Sequence, residues 1–138
     1  MDPVLTYRRL VMPGDLNAAN SLFGGQIMKW ADEAAAMYAM CQLQDQRVVT
    51  LKVSEILFKE PVKQGDFLEF WAKTAKVGRT SLTVHLEVYR KEIEKPEYKH
   101  QVVLSCQFVF VRVDEAGKAT PHRLQVCEYQ NGKVTCTN

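Results

Sequence analysis

Only one stretch of this chain repeats its apolar residues at helical spacing over any length. From Gly25 to about Cys41, residues Ile27, Ala31, Ala34, Ala35 and Tyr38 form a single apolar stripe. At about 1.5 Å per residue the predicted helix spans roughly 24 Å. Its alanines allow another layer to approach the helix backbone closely, which suits a sheet wrapped around it. A chain with one long helix must build the rest of its core from strands.

The remaining sequence supplies them. Residues 5–11 read as a short first strand, ended by Pro13-Gly14-Asp15. Asn17, Asn20 and Ser21 favour turns, and Gly24-Gly25 interrupts regular structure before the helix. Beyond the helix, residues 47–59, 67–77, 81–91 and 101–113 are predicted strands. In 81–91, Leu82, Val84, Leu86 and Val88 face one way and Thr83, His85, Glu87 and Tyr89 the other. Phe58 and Trp30 are expected in the core. Turns fall at Lys63–Asp66, at Gly78, in the charged run Glu92–Lys99 around Pro96, and at Asp114–Gly117. The tail from Thr120 is polar and carries no clear pattern. Short turns predict hairpins and an antiparallel sheet. The expected fold class is α+β, one long helix against one antiparallel β-sheet. A single sheet with one helix leaves a face and edges uncovered, and self-association would cover them. With no repeat, linker or low-complexity tract, residues 1–138 read as one domain, with a core of about 5–113 and a polar tail of about 118–138.

Composition excludes several functions. A formal net charge of +2 gives no electrostatic case for nucleic acid or an anionic membrane. Asp2, Arg8, Arg9 and Asp15 break up any early apolar run, so no secretory signal is expected. No stretch reaches the ~20 apolar residues of a spanning helix. Cys41, Cys106, Cys127 and Cys136 form no CxxC and no zinc-ligand spacing with histidine, so no metal site is expected. Without a signal they are expected to be reduced thiols in a cytoplasmic protein. No nucleophile elbow, P-loop, HExxH or GxGxxG is present. His85, His100 and His122 fall on predicted strands or in the tail and read as surface or strand-face histidines.

The loop running into the helix is the most informative stretch. A helix N-terminus presents unpaired N–H groups and partial positive charge, and glycine there lets a substrate oxygen come close. Gly24 and Gly25 could therefore form an oxyanion site, or simply a turn. Asp32 lies at the edge of the apolar arc, one turn from Met28 and Ala36 and about two turns from the helix start. It could be a partly desolvated base, or a solvated flank residue like Glu33.

The run PGDLNAANSLFGGQIMKWADEAA resembles the signature of the hotdog-fold acyl-CoA thioesterases, the group of bacterial and brain-type cytosolic acyl-CoA hydrolases. Pro13, Asp15, Asn17, Phe23, Gly24, Gly25, Lys29, Trp30 and Asp32 carry it in register. The stretches RVVTLKVSEILFKEPVKQGD (47–66) and KVGRTSLTVHLEVYRK (76–91) extend the likeness, which covers roughly residues 5–113. Ala19, Asn20 and Ser21 depart from it, and the tail after Gly117 has no counterpart. The resemblance implies a hotdog fold and thioester hydrolysis. Asp32 would act as nucleophile or base, with Asn17 from the facing subunit. Gly25 N–H would hold the oxyanion, and Thr50 would position water or Asp32. It further implies CoA contacts from Gly24 and from the turn Gly78-Arg79-Thr80-Ser81, with Lys59 and Arg90 as further phosphate contacts or solvated surface. It implies no metal and no bound cofactor, coenzyme A being part of the substrate and product. It also implies a homodimer as minimal unit, assembled into a hexamer (trimer of dimers) or tetramer. Two alternatives share the fold: a non-catalytic acyl-CoA-binding module, and a hydratase or dehydratase, which depends on a helix or loop His or Glu. No histidine precedes His85.

Overall fold

The computed structural model describes residues 2–95 and 101–137. Pro96 to Lys99 of the charged turn, and His100, lie outside the described residues. In chain order the elements are β1 (Val4–Leu10), a 3-10 turn (Pro13–Asp15), α1 (Gly24–Leu43), β2 (Val48–Phe58), β3 (Phe67–Val77), β4 (Ser81–Lys91), β5 (Gln101–Arg112), β6 (Val126–Gln130) and β7 (Lys133–Thr137).

Every strand pairing is antiparallel, and the sheet runs β2-β5-β4-β3-β6-β7. β3 pairs with β4 along one edge. Its other edge is divided between β1, which meets Phe67 to Ala72, and β6, which meets Lys76 and Val77. The expectation of hairpins throughout fails between β2 and β3. These neighbours in sequence sit far apart in the sheet, because β2 pairs with β5. The chain crosses the sheet after Phe58 to let one sheet enclose the helix from both sides.

The apolar stripe of α1 behaves as the spacing predicts: Ile27, Ala31, Ala34, Ala35 and Tyr38 are all buried. Against them pack Leu82, Val84, Leu86 and Val88 of β4, Leu68, Phe70 and Ala72 of β3, and Leu104, Phe108 and Phe110 of β5. Each large side chain so buried contributes about 1.5–3 kcal/mol. Tyr38 carries a hydroxyl into this core and satisfies it on Thr74 Oγ1 at 2.7 Å. Trp30 is buried, as expected, with the Arg9 guanidinium 4.7 Å above its ring. The helix ends at Gln44, whose left-handed φ of 53° returns its N–H to Met40 O.

β2 departs from the sequence reading. Its apolar residues are largely exposed: Leu51 is 68% and Phe58 57% exposed. Phe58 is therefore not core. β2 is the last strand of the sheet on its side, so nothing among the described residues pairs with its outer flank. Irregularities at Thr50/Lys52 and Ser54/Leu57, with a positive φ at Glu55, also break its alternation and turn apolar residues outward.

The tail is structured as well. β6 and β7 form a hairpin closed by Asn131-Gly132, where both residues have positive φ, as a tight primed turn requires. That register sets Cys127 opposite Cys136, and the two form a disulfide. The expectation of four reduced cysteines is corrected at this pair; Cys41 and Cys106 are free thiols.

Candidate active site

Asp32 sits half-buried on the outer flank of α1, facing β2. Thr50 Oγ1 donates a hydrogen bond to Asp32 Oδ1 at 2.7 Å. One carboxylate oxygen is thereby fixed, while Oδ2 has no protein partner among the described residues. Thr50 reaches it because the β2 irregularity after Thr50 aims this side chain toward the helix rather than along the regular pleat.

The start of α1 lies elsewhere along the helix. Phe23 is the N-cap residue and no side chain caps the helix, so the first N–H groups remain available. A Cβ on Gly25 would meet nothing within 4 Å, whereas one on Gly24 would touch the Phe58 ring at 3.6 Å. A cavity of about 240 Å³ opens here, lined by Ser21, Leu22, Gly24, Ile27, Phe58 and Lys59 among others. Gly25 and Asp32 are seven residues apart and share a face of the helix. At about 1.5 Å per residue they stand about 10 Å apart along its axis.

The loop before the helix is organised by two side chains. Asn17 Oδ1 accepts from the Ala19 and Ser21 N–H groups at 2.9 and 3.2 Å. Its amide nitrogen has no hydrogen-bond partner among the described residues, and no hydrogen bond joins Asn17 to Asp32 within the chain. Asp15, which the sequence marks only as part of a motif, is buried. Its carboxylate accepts from the Met12 N–H and from Gln26 Nε2, both at 2.9 Å. The Met12 bond first, then Gln26, holds this carboxyl below the usual carboxylate range against the opposing effect of burial. Asp15 thus ties the loop to the first turn of α1. An acid directly after Pro-Gly is the sequence signal that could have marked it.

The residues expected to contact CoA separate into two groups. The turn Gly78–Ser81 lies at the Thr50 end of the sheet, since Ser81 pairs with Val111 and Val111 with Val49. Two strand spacings put the turn about 10 Å from Val49. A Cβ on Gly78 would meet Ser81 Oγ, which would have to rotate away. Arg79 is exposed, and its guanidinium has no partner among the described residues. Lys59 and Arg90 lie at the opposite end, near Val103 and Gln101. Lys59 is exposed at the mouth of the smaller cavity. The Arg90 guanidinium is engaged inside the chain by Asp66 at 3.0 Å, Gln101 at 2.6 Å and the Pro61 carbonyl.

A larger cavity of about 470 Å³ lies between the outer sheet face and the β6–β7 hairpin, beside Lys73, His85 and Tyr129. None of the expected site residues lines it, so it is separate from this chemistry. His85 itself is bonded to Glu87 at 3.0 Å on that face. Among the described residues no cluster of His, Cys, Asp and Glu could hold a metal ion, and no helix is long and apolar enough to cross a membrane.

Comparison with known proteins places the fold and the chain in a family. The thioesterase superfamily model matches residues 19–97. The chain is 34% identical over 122 residues to the acyl-CoA thioester hydrolase YciA of Salmonella typhimurium, covering 88% of this chain and 91% of that protein. A hexameric thioesterase of Yersinia pestis superposes with a TM-score of 0.81 at 33% identity, over 90% of this chain and 98% of that one. An acyl-CoA hydrolase of Staphylococcus aureus, solved with butyryl-CoA, CoA and CoA disulfide, does so with 0.78 at 31% identity, over 84% and 69%. Its structures include aspartate-, threonine- and asparagine-to-alanine variants. With one helix held against an antiparallel sheet as in these hotdog structures, and with identity above 30% along most of its length, the chain belongs to the thioesterase superfamily.

Proposed function

We propose that this protein is an acyl-CoA thioesterase that hydrolyses fatty acyl-CoA to the free acid and CoA, with Asp32 as the catalytic carboxylate. The hydrogen bond from Thr50 to Asp32 is the observation that carries the site. It orients one carboxylate oxygen and leaves the other free to attack the thioester carbonyl or to take a proton from water. The same three residue types, aspartate, threonine and asparagine, were replaced in the S. aureus hydrolase, and Asp32, Thr50 and Asn17 are the residues of those types at the site proposed for this chain.

The helix start supplies the complementary half. Gly25 N–H, open to approach and at the positive end of α1, stabilises the oxyanion. One carbonyl must lie about 3 Å from both the oxyanion donor and the attacking group. The roughly 10 Å between Gly25 and Asp32 of one helix is too long for that. The site is therefore assembled from two chains: Gly25 and Asn17 of one protomer face Asp32 and Thr50 of its partner. The exposed apolar strand β2, which carries Thr50, provides the surface for such a dimer. Dimers then assemble into a hexamer, the state named for the Y. pestis relative, or into a tetramer. Gly24 and the Gly78–Ser81 turn with Arg79 contact CoA, and Lys59 adds charge at the cavity mouth. Arg90, already engaged, holds the sheet corner instead. A thioester is activated enough to need no metal or bound cofactor, and the protein works in the cytoplasm.

A hydratase would need a histidine or glutamate beside the helix start; the described His85 and His122 lie away from it, while Glu60 lines the cavity there, so the assay has to separate the two reactions. Release of free thiol from acyl-CoA tests the proposal. Hydrolysis by the wild type that is lost in folded Asp32→Asn supports it; a wild type that binds acyl-CoA without releasing thiol would identify a non-catalytic binding module.

A further inference from the structure

The Gly78–Ser81 turn is held by more than its own strands. Three consecutive carbonyls along it accept hydrogen bonds from the end of β5 and the segment beyond. The His122 N–H donates to Arg79 O at 3.2 Å, and the Arg112 N–H donates to Thr80 O at 2.9 Å. The His122 ring Nε2 lies 2.8 Å from Ser81 O. A carbonyl only accepts, so Nε2 carries the proton. Nδ1 is then the acceptor, and the Leu124 N–H meets it at 3.1 Å. One neutral imidazole thus joins the tail to the turn.

Arg112 braces the same junction from the other side. Its guanidinium donates to Pro121 O at 2.9 Å and to Asp45 Oδ2 at 2.7 Å, while the Thr120 N–H donates to Arg112 O at 2.9 Å. The tail is thereby anchored to β5 and to the loop after α1, and His122 transmits that anchorage to Ser81. The contrast with Arg79 is informative. Its backbone carbonyl is tied to the tail, yet its side chain is exposed and unpartnered among the described residues. A fixed backbone beneath a free cation reduces the ordering that ligand binding would otherwise require.

We infer that His122 is a positioning residue for the nucleotide end of CoA, acting through the Ser81 carbonyl on the turn that carries Arg79. This role rests on the contact between that turn and the CoA phosphates proposed above. His122 touches no reacting atom, so its effect falls on KM for substrates that carry phosphates.

The test compares acyl-CoA with the matching acyl-pantetheine, which lacks the nucleotide, in His122→Ala, His122→Asn, His122→Gln and Arg79→Ala. Glutamine carries an amide N–H about as far as Nε2 and restores the bond to Ser81. Asparagine can replace Nδ1 as acceptor but is too short to reach Ser81. Loss of one net hydrogen bond corresponds to roughly two- to tenfold in affinity. The Ala and Asn variants should therefore raise KM for acyl-CoA by that factor with kcat within about twofold. Gln should lie within about twofold of wild type, and KM for acyl-pantetheine should not move in any of them. Should His122→Ala fail to fold, the Asn and Gln pair decides alone. Equal rises for both substrates, a Gln variant as impaired as Asn, or no rise at all would overturn the inference. Arg79→Ala separates its failure from that of the turn. If Arg79→Ala raises KM for acyl-CoA and the His122 variants do not, only the inference falls. If Arg79→Ala also leaves that KM unchanged, both fall.

Discussion

The spacing of Gly25 and Asp32 along one helix can be turned into a measurement of how the active site is divided between chains. Gly25→Val blocks the oxyanion position, and since a Cβ there meets nothing within 4 Å in the chain, the variant should fold. Asp32→Asn removes the carboxylate charge. Each homodimer should lose on the order of 10²-fold or more in kcat. The two variants are unfolded and refolded together in equal amounts. Random pairing makes about half of the dimers mixed, and each two-fold dimer has two sites. If each site joins Gly25 of one chain to Asp32 of the other, a mixed dimer has one site with both lesions and one with neither. Thiol release should then recover to roughly a quarter of wild type, far above either parent. If one chain supplied both residues, every site would keep one lesion and nothing would be recovered. Normal oligomers by size-exclusion chromatography with parental activity would refute the two-chain site.

Other expected outcomes concern single residues. Thr50→Val should lower kcat by about 10–100-fold, because a carboxylate displaced by about 1 Å can lose that much, while Thr50→Ser should keep most of it. A Val variant with full kcat would show that Asp32 needs no orienting hydroxyl. Arg79→Ala should raise KM for acyl-CoA several-fold, with a difference from wild type that shrinks as salt rises, since an exposed cation is screened; a salt-independent rise would contradict a phosphate contact. Asp15→Asn places an amide against two donors and should destabilise the fold by about 1–3 kcal/mol. The folded Asp15 carboxyl titrates below the ordinary 3.8 of the unfolded chain, so its contribution is complete above that pH and is lost as pH falls through the folded value. The melting-temperature gap between variant and wild type should accordingly hold at pH 5 and narrow below about 3.8.

The helix and the central strands were readable because burial there follows one rule per element. The alanine-rich stripe and the alternation of Leu82, Val84, Leu86 and Val88 each answer to a single buried face. Asp32 could be singled out by its edge position, but its pairing with Thr50 could not, since that contact joins residues eighteen apart across a strand irregularity. Phe58 misled for a related reason. An apolar strand inside a sheet and one at its margin have the same composition, and only the strand order separates them. The β6–β7 hairpin was obscured because its side chains are mostly exposed, leaving Asn131-Gly132 as its one signal, and with it went the facing register of Cys127 and Cys136. His122 reads as an ordinary polar tail residue, because its partners are backbone groups that no sequence pattern displays.

The two margins of the sheet are unequal, and this limits how the protein can grow. On one side β2 offers an open flank of eleven residues, much of it apolar. On the other, the margin is broken between β1, seven residues with Arg8 and Arg9 on it, and the exposed five-residue β7. Strand addition is favoured along the long flank and discouraged along the short, charged and staggered one. The proposed two-fold pairing through β2 would consume the long flank of both partners at once. What remained exposed would be a poor template for a third chain, so in that dimer the strand carrying Thr50 would also close the sheet against further strand addition.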